Sequence, residues 1–76
     1  MAYNSLDQVL FMQAHIANLF RKTHKLSPQE FLELDRKCDF LGYVAESYEP
    51  FHLTGDEGIL GEMNEYVAGA IGGKVR

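Results

Sequence analysis

The chain has one cysteine, two prolines and seven basic residues among its 76 positions. The single thiol, Cys38, closes no intrachain disulfide and brings no second sulfur to a metal, so two common supports of very small domains are absent. Seven bases against eleven acids give a net charge of −4. That balance argues against nucleic acid, because phosphate binding draws on clustered Lys and Arg. No stretch approaches the roughly 20 apolar residues that span a bilayer. The start, Met1 to Asp7, has no basic segment, and the apolar run from Val9 to Phe20 is interrupted by Gln13, His15 and Asn18, unlike a secretory signal. A cytoplasmic protein without a membrane partner is expected, and the unpaired Cys38 suits a reducing compartment. No run alternates apolar and polar residues, and no Asn-Gly or Asp-Gly hairpin turn occurs, which removes a sheet.

What remains is globular: 46% hydrophobic, 12% aromatic and 24% charged. A domain of this length buries about 60–65% of the surface its unfolded chain exposes and is stable by about 3–5 kcal/mol. Packing must carry it, with a second chain as a candidate contributor.

Periodicity predicts an all-α domain of three or four antiparallel helices, over about residues 5–24, 28–37, 40–48 and 55–71, with 1–4 and 73–76 frayed. Advancing about 100° per residue, Leu6, Val9, Leu10, Met12, Ile16, Ala17, Leu19 and Phe20 share one face of the first helix. Asn4 or Ser5 can cap its start, and Arg21, Lys22, His24 and Lys25 suit its end. Two residues break its pattern. Gln13 projects into the apolar face, either as a satisfied amide at the core edge or as a bond to a neighbouring helix or partner. Phe11 projects from the polar face and is either covered by the C-terminal segment or part of a contact surface.

Ser27, Pro28 and Glu30 form a capping box with proline at the first helical position, so a second helix begins here, with Phe31, Leu34 and Cys38 on its inner face. Asp39 is expected to cap a third helix carrying Phe40, Leu41, Val44, Ala45 and Tyr48. Pro50 is expected to end it, with a loop over residues 49–53. Thr54 with Glu57 reads as a second capping box, opening a last helix whose apolar face is Ile59, Leu60, Met63, Tyr66, Val67, Ala70 and Ile71. Its opposite face holds Gly58, Gly61 and Gly69, each costing a helix about 1 kcal/mol against alanine. That face is either plain solvent surface or a close-approach surface for another helix. Gly72 and Gly73 are expected to terminate the helix.

The chemistry-bearing residues do not assemble into a catalytic pattern. His15, His24 and His52 show no pair at the spacing that converges on one metal, and Asp35 and Asp39 beside Cys38 are no typical zinc set. Cys38 reads as a small core hydrophobe, since a domain this size rarely encloses a substrate-sized cavity. No enzyme, metal, cofactor or small-molecule substrate is expected. From Leu26 to Gly73 ten acids face two bases, which leaves DNA binding only to a dimer pooling the Arg21, Lys22 and Lys25 patches.

A protein partner fits better. Tyr48, Phe51 and His52 gather beside Pro50 before a helix start, and aromatics are favoured anchors in contact hot spots. The alternative is that Tyr48 and Phe51 plug one end of the bundle while His52 bonds locally. Phe11, Gly58 and Gly61 complete the candidate contact residues.

The run Tyr48, Glu49, Pro50, Phe51, His52, Leu53, Thr54, Gly55, followed by Ile59 and the stretch Glu62 to Val67, resembles the C-terminal signature of a family of short bacterial helical proteins of unknown function. The resemblance extends over most of the chain, from about Leu6 to Val67. Members of such families are often encoded beside a gene resembling an ADP-ribosyltransferase toxin, which implies an accessory or antitoxin-like role and brings no catalytic residue with it. The tail glycines Gly72 and Gly73 depart from that pattern. The expected function is a non-enzymatic protein-interaction module, as partner of a bacterial toxin or enzyme or as a homodimer. The alternative is a small dimeric DNA-binding regulator.

Overall fold

Ser27 shows most directly how local chemistry builds this chain. Its hydroxyl accepts from the Glu30 amide at 3.0 Å, and the Glu30 carboxylate accepts from the Ser27 amide at 2.8 Å. That reciprocal pair closes the predicted capping box and starts a helix at Pro28. In the computed structural model, which describes residues 3–71, the elements are α1 (Tyr3–His24), α2 (Pro28–Cys38), α3 (Phe40–Glu46), α4 (Tyr48–His52) and α5 (Asp56–Ile71). The described residues form one all-α globule without strands.

The direction of each element follows from the contacts between them. His15 and His24 of α1 meet Asp56 and Asn64 of α5, so α1 and α5 run the same way. Between them the chain returns in three pieces. The Gln13 amide donates to the Leu41 carbonyl and the Tyr48 hydroxyl to Gln8, which sets α3 and α4 antiparallel to α1. Tyr43 stacks on Tyr66 at 3.9 Å between ring centres, placing α3 against the middle of α5.

Two chain reversals use the left-handed region without glycine. Lys25 (φ 56°) ends α1 in a Schellman motif, with the Leu26 amide donating to Arg21 and the Lys25 amide to Lys22. Asp39 (φ 57°) ends α2, its amide donating to the Asp35 carbonyl at 2.7 Å.

Several expected boundaries are corrected. Asp39 makes no side-chain cap on α3; the Asp35 carboxylate instead accepts from the Leu41 amide at 2.9 Å. The Asp39 carboxylate lies beside Gly42 without bonding an α3 amide, and Asp35, one turn back on α2, reaches the first turn instead. Of the expected loop over residues 49–53 only Leu53 lies outside a helix, because α3 ends at Glu46 and α4, which includes Pro50, runs to His52. Pro50 is the third residue of α4, where the backbone amide has no helical acceptor in any case, so its missing N–H costs nothing. Thr54 does not cap α5; its hydroxyl donates to the Pro50 carbonyl at 2.8 Å and closes α4, leaving Gly55 to accept the first α5 bond from Ile59. α1 begins at Tyr3, which places Asn4 and Ser5 inside it rather than ahead of it. The expected stop at Gly72 and Gly73, and fraying at 73–76, lie outside the described residues.

The core is Ile16, Phe20, Phe31, Cys38, Phe40, Val44, Phe51, Ile59 and Met63. Phe40 is its centre, fully buried, with Phe20 and Phe31 each edge-on to it at 4.9 Å. Leu6 and Leu10, expected in this core, are 66% and 53% exposed. Tyr48 approaches α1 at Gln8, which lies about 160° around the helix from both leucines, so α4 covers the other flank.

Candidate functional site

Phe11 of α1, and Tyr48 and His52 of α4, project beside the N-terminal turn of α5 and wall an open groove of about 440 Å³. Its floor is the buried trio Ile16, Phe51 and Ile59. Local helical spacing sets the walls. Tyr48 and His52, four residues apart on α4, stack at 5.3 Å with ring planes 22° apart. Phe11 and His15, four apart on α1, lie nearly parallel at 6.5 Å. Two polar links tie the walls together: the Tyr48 hydroxyl donates to Gln8 Oε1 at 2.9 Å, and His15 Nε2 meets Asp56 Oδ1 at 3.0 Å. The groove is thereby bounded by α1, α4 and α5.

Four of the six candidate contact residues therefore converge. Phe11 is 74% exposed, so of its two readings, cover by the C-terminal segment or a contact surface, the described residues supply no cover. Tyr48 is half-buried and His52 exposed. Phe51, 4% exposed, is floor rather than contact surface. Gly58 and Gly61 do not line the groove and face outward from α5. A Cβ on Gly61 would meet nothing within 4 Å, whereas one on Gly58 would meet the Thr54 methyl at 2.6 Å.

A second open groove of about 440 Å³ escaped sequence reasoning. Phe20, Leu26, Leu34, Val67 and Ile71 form its apolar surface, and His24 bonds Asn64 at 2.7 Å along one side. Its residues come from α1, the α1–α2 turn, α2 and α5 with no local motif between them, so nothing in the linear order signals it.

Three further polar groups are tied into the packing: Gln13, Cys38 and Tyr66. Gln13 is a satisfied amide bonded to a neighbouring helix. Cys38 is buried, and desolvation, with the Asp35 and Asp39 carboxylates, pushes its thiol up and keeps it protonated at neutral pH. Burial first, then the nearby acidic groups, also raises the Tyr66 phenol, whose hydroxyl donates to the Cys38 carbonyl. Among the described residues no three His, Cys, Asp or Glu side chains converge as a metal set, and no helix is long and apolar enough to cross a membrane.

No curated protein and no solved structure matches the chain. A family model does, from Phe11 at the groove wall through all of α4 to Gly69 in the last turns of α5. Asp7 and Gln8 lie just outside that match. With residues 11–69 covered, the chain belongs to the family of proteins of unknown function DUF3791.

Proposed function

We propose that the protein is a non-enzymatic interaction module whose α1–α4–α5 groove holds a segment of a partner protein. One observation carries this: the Phe11 ring stands 74% exposed beside Tyr48 and His52, over an apolar floor. An exposed ring costs the isolated chain the hydration of its apolar surface, and burial by a partner recovers it. The resemblance noted in the sequence supports an accessory or antitoxin-like role in the bacterial cytoplasm, beside an ADP-ribosyltransferase-like protein. A homodimer is the other protein partner this surface can take.

Co-expression with an adjacent ADP-ribosyltransferase-like protein, followed by co-purification, tests the proposal. A complex weakened by Phe11→Ala supports it. No complex, together with a strictly monomeric chain in sedimentation, ends it. The DNA-binding alternative draws less support, because Arg21 Nε donates to the Leu26 carbonyl and helps close the α1–α2 turn. A salt-dependent gel shift that weakens on Lys22→Glu would revive it.

A further inference from the structure

The occupant of the α1–α4–α5 groove can be described by its chemistry from the charges that surround it. The ionisable groups lining the groove are the carboxylates of Asp7 and Asp56 and the imidazoles of His15 and His52, without a lysine or arginine. Two more carboxylates adjoin it in sequence, Glu49 next to Tyr48 and Glu57 next to Asp56, and both residues are exposed. The start of α5 adds about half a positive charge, which the two formal charges of Asp56 and Glu57 outweigh. The nearest basic residue along α1 is Arg21, ten residues and so about 15 Å beyond Phe11. That separation exceeds the Debye length of about 8 Å at physiological salt.

The groove is thus an apolar trough with an acidic border, and its walls carry the aromatic rings of Phe11 and Tyr48. Such rings attract cations to their faces, and Phe11 is 74% exposed to solvent. On the reading of this groove as the partner site, we infer that it takes a basic peptide segment. An apolar side chain of that segment fills the trough over Phe51 and Ile59. A neighbouring Arg or Lys lies against Phe11 and pairs with the Asp7 and Asp56 border. A second copy of the chain is a poorer occupant, since it carries a net charge of −4 into an acidic border.

Selection of random 12-residue peptides displayed on phage tests this, using the full chain as bait and its Phe11→Ala variant for counter-selection. Phe11 is exposed, so the variant should keep the helical circular dichroism of the parent. Groove-dependent clones enriched in Arg or Lys beside an apolar residue are the expected result. Their affinity should fall about two- to fivefold on Asp7→Asn, as for an exposed ion pair, and should weaken with added salt. Groove-dependent clones without basic enrichment overturn the basic-segment inference while leaving the groove as a binding site. Absence of any Phe11-dependent clone overturns both. Self-association that is lost on Phe11→Ala and again on Lys22→Glu would place a second copy there instead.

Discussion

The side-chain amide of Gln13 donates to the backbone carbonyl of Leu41 at 2.8 Å, joining the middle of α1 to the first turn of α3 across a partly buried contact. A glutamine on an apolar stripe is thus the residue that fixes where the return segment crosses α1. Gln13→Ala should cost about 1 kcal/mol, the usual net worth of such a bond. Gln13→Glu should cost more at neutral pH, because a carboxylate then faces a carbonyl oxygen. Urea denaturation of the two variants checks this, and the gap between them should close as the pH falls below the carboxyl range. Equal losses at all pH values would show that packing, not the bond, sets the cost.

Alkaline pH should loosen the same end of the core. Burial raises the Cys38 thiol above its ordinary 9.0, helped by Asp35 and Asp39, while a backbone hydrogen bond at Phe40 acts the other way. Burial likewise raises the Tyr66 phenol above its ordinary 10.0. Both groups hold their protons more tightly folded than unfolded. Their contribution is complete below the unfolded values, and it is lost as pH climbs through the raised, folded ones. The urea midpoint should therefore decline from about pH 9 upward, and Cys38→Ala should delay the decline toward the tyrosine range. A midpoint indifferent to alkali would contradict this account.

Where the sequence was hard to interpret, the cause lies in how the turns are made. The Ser27–Glu30 box was legible because both partners sit three residues apart on one strand of sequence. The Thr54–Glu57 spacing was identical, yet Thr54 serves the helix before it, its hydroxyl joining the Leu53 amide on the Pro50 carbonyl. The left-handed turns fall on Lys25 and Asp39, while no described glycine has positive φ, so the usual glycine signal for a helix end is missing from both reversals. The groove was half legible. Tyr48, Phe51 and His52 are adjacent in sequence, but Phe11 joins them, and Asp7 and Asp56 border them, only through the parallel course of α1 and α5. Leu6 and Leu10 fall on the apolar half of α1 but about 60° and 100° round from Val9, which lies in line with buried Ile16 and Phe20, so they sit on the flank away from α4.

Lys25 offers a direct test of that turn chemistry. A side chain at φ 56° is strained by roughly 1–2 kcal/mol relative to glycine, part of which glycine returns through its greater freedom when unfolded. Lys25→Gly should therefore stabilise the protein by about 0.5–1 kcal/mol, seen as a higher melting temperature. A lower melting temperature would mean that the Lys25 side chain does more than tolerate its position.

Phe51 and Phe11 should respond oppositely to the same truncation. Phe51 is 4% exposed, edge-on to Tyr43 and part of the groove floor, and its loss to alanine costs about 3–5 kcal/mol, comparable with the whole stability of a domain this small. Phe51→Ala should be largely unfolded by circular dichroism. Phe11→Ala, at a side chain 74% exposed, should change stability by less than about 0.5 kcal/mol while removing binding to the groove. If Phe11→Ala also unfolds the chain, the ring has a structural partner and the groove loses its main anchor.

The two glycines of α5 can distinguish a solvated face from a helix contact. A Cβ at Gly61 meets nothing within 4 Å, so Gly61→Ala should gain about 1 kcal/mol of helix propensity in the isolated chain. At Gly58 the new Cβ would lie 2.6 Å from the Thr54 methyl, and Thr54 is held by its bond to Pro50, so part of the gain is lost in moving it. Gly58→Ala should therefore gain less than Gly61→Ala, and removing the methyl with Thr54→Ser should bring the two closer. If α5 packs its glycine face against a second copy, the order changes with concentration. Gly61→Ala would then stabilise the chain when dilute and weaken it when concentrated, because the methyl group holds the two helices apart. Melting curves over a range of protein concentrations, with sedimentation on the same samples, separate the cases. A concentration-independent gain at Gly61 leaves this face to solvent, and the α1–α4–α5 groove is then the surface on which a partner must be sought.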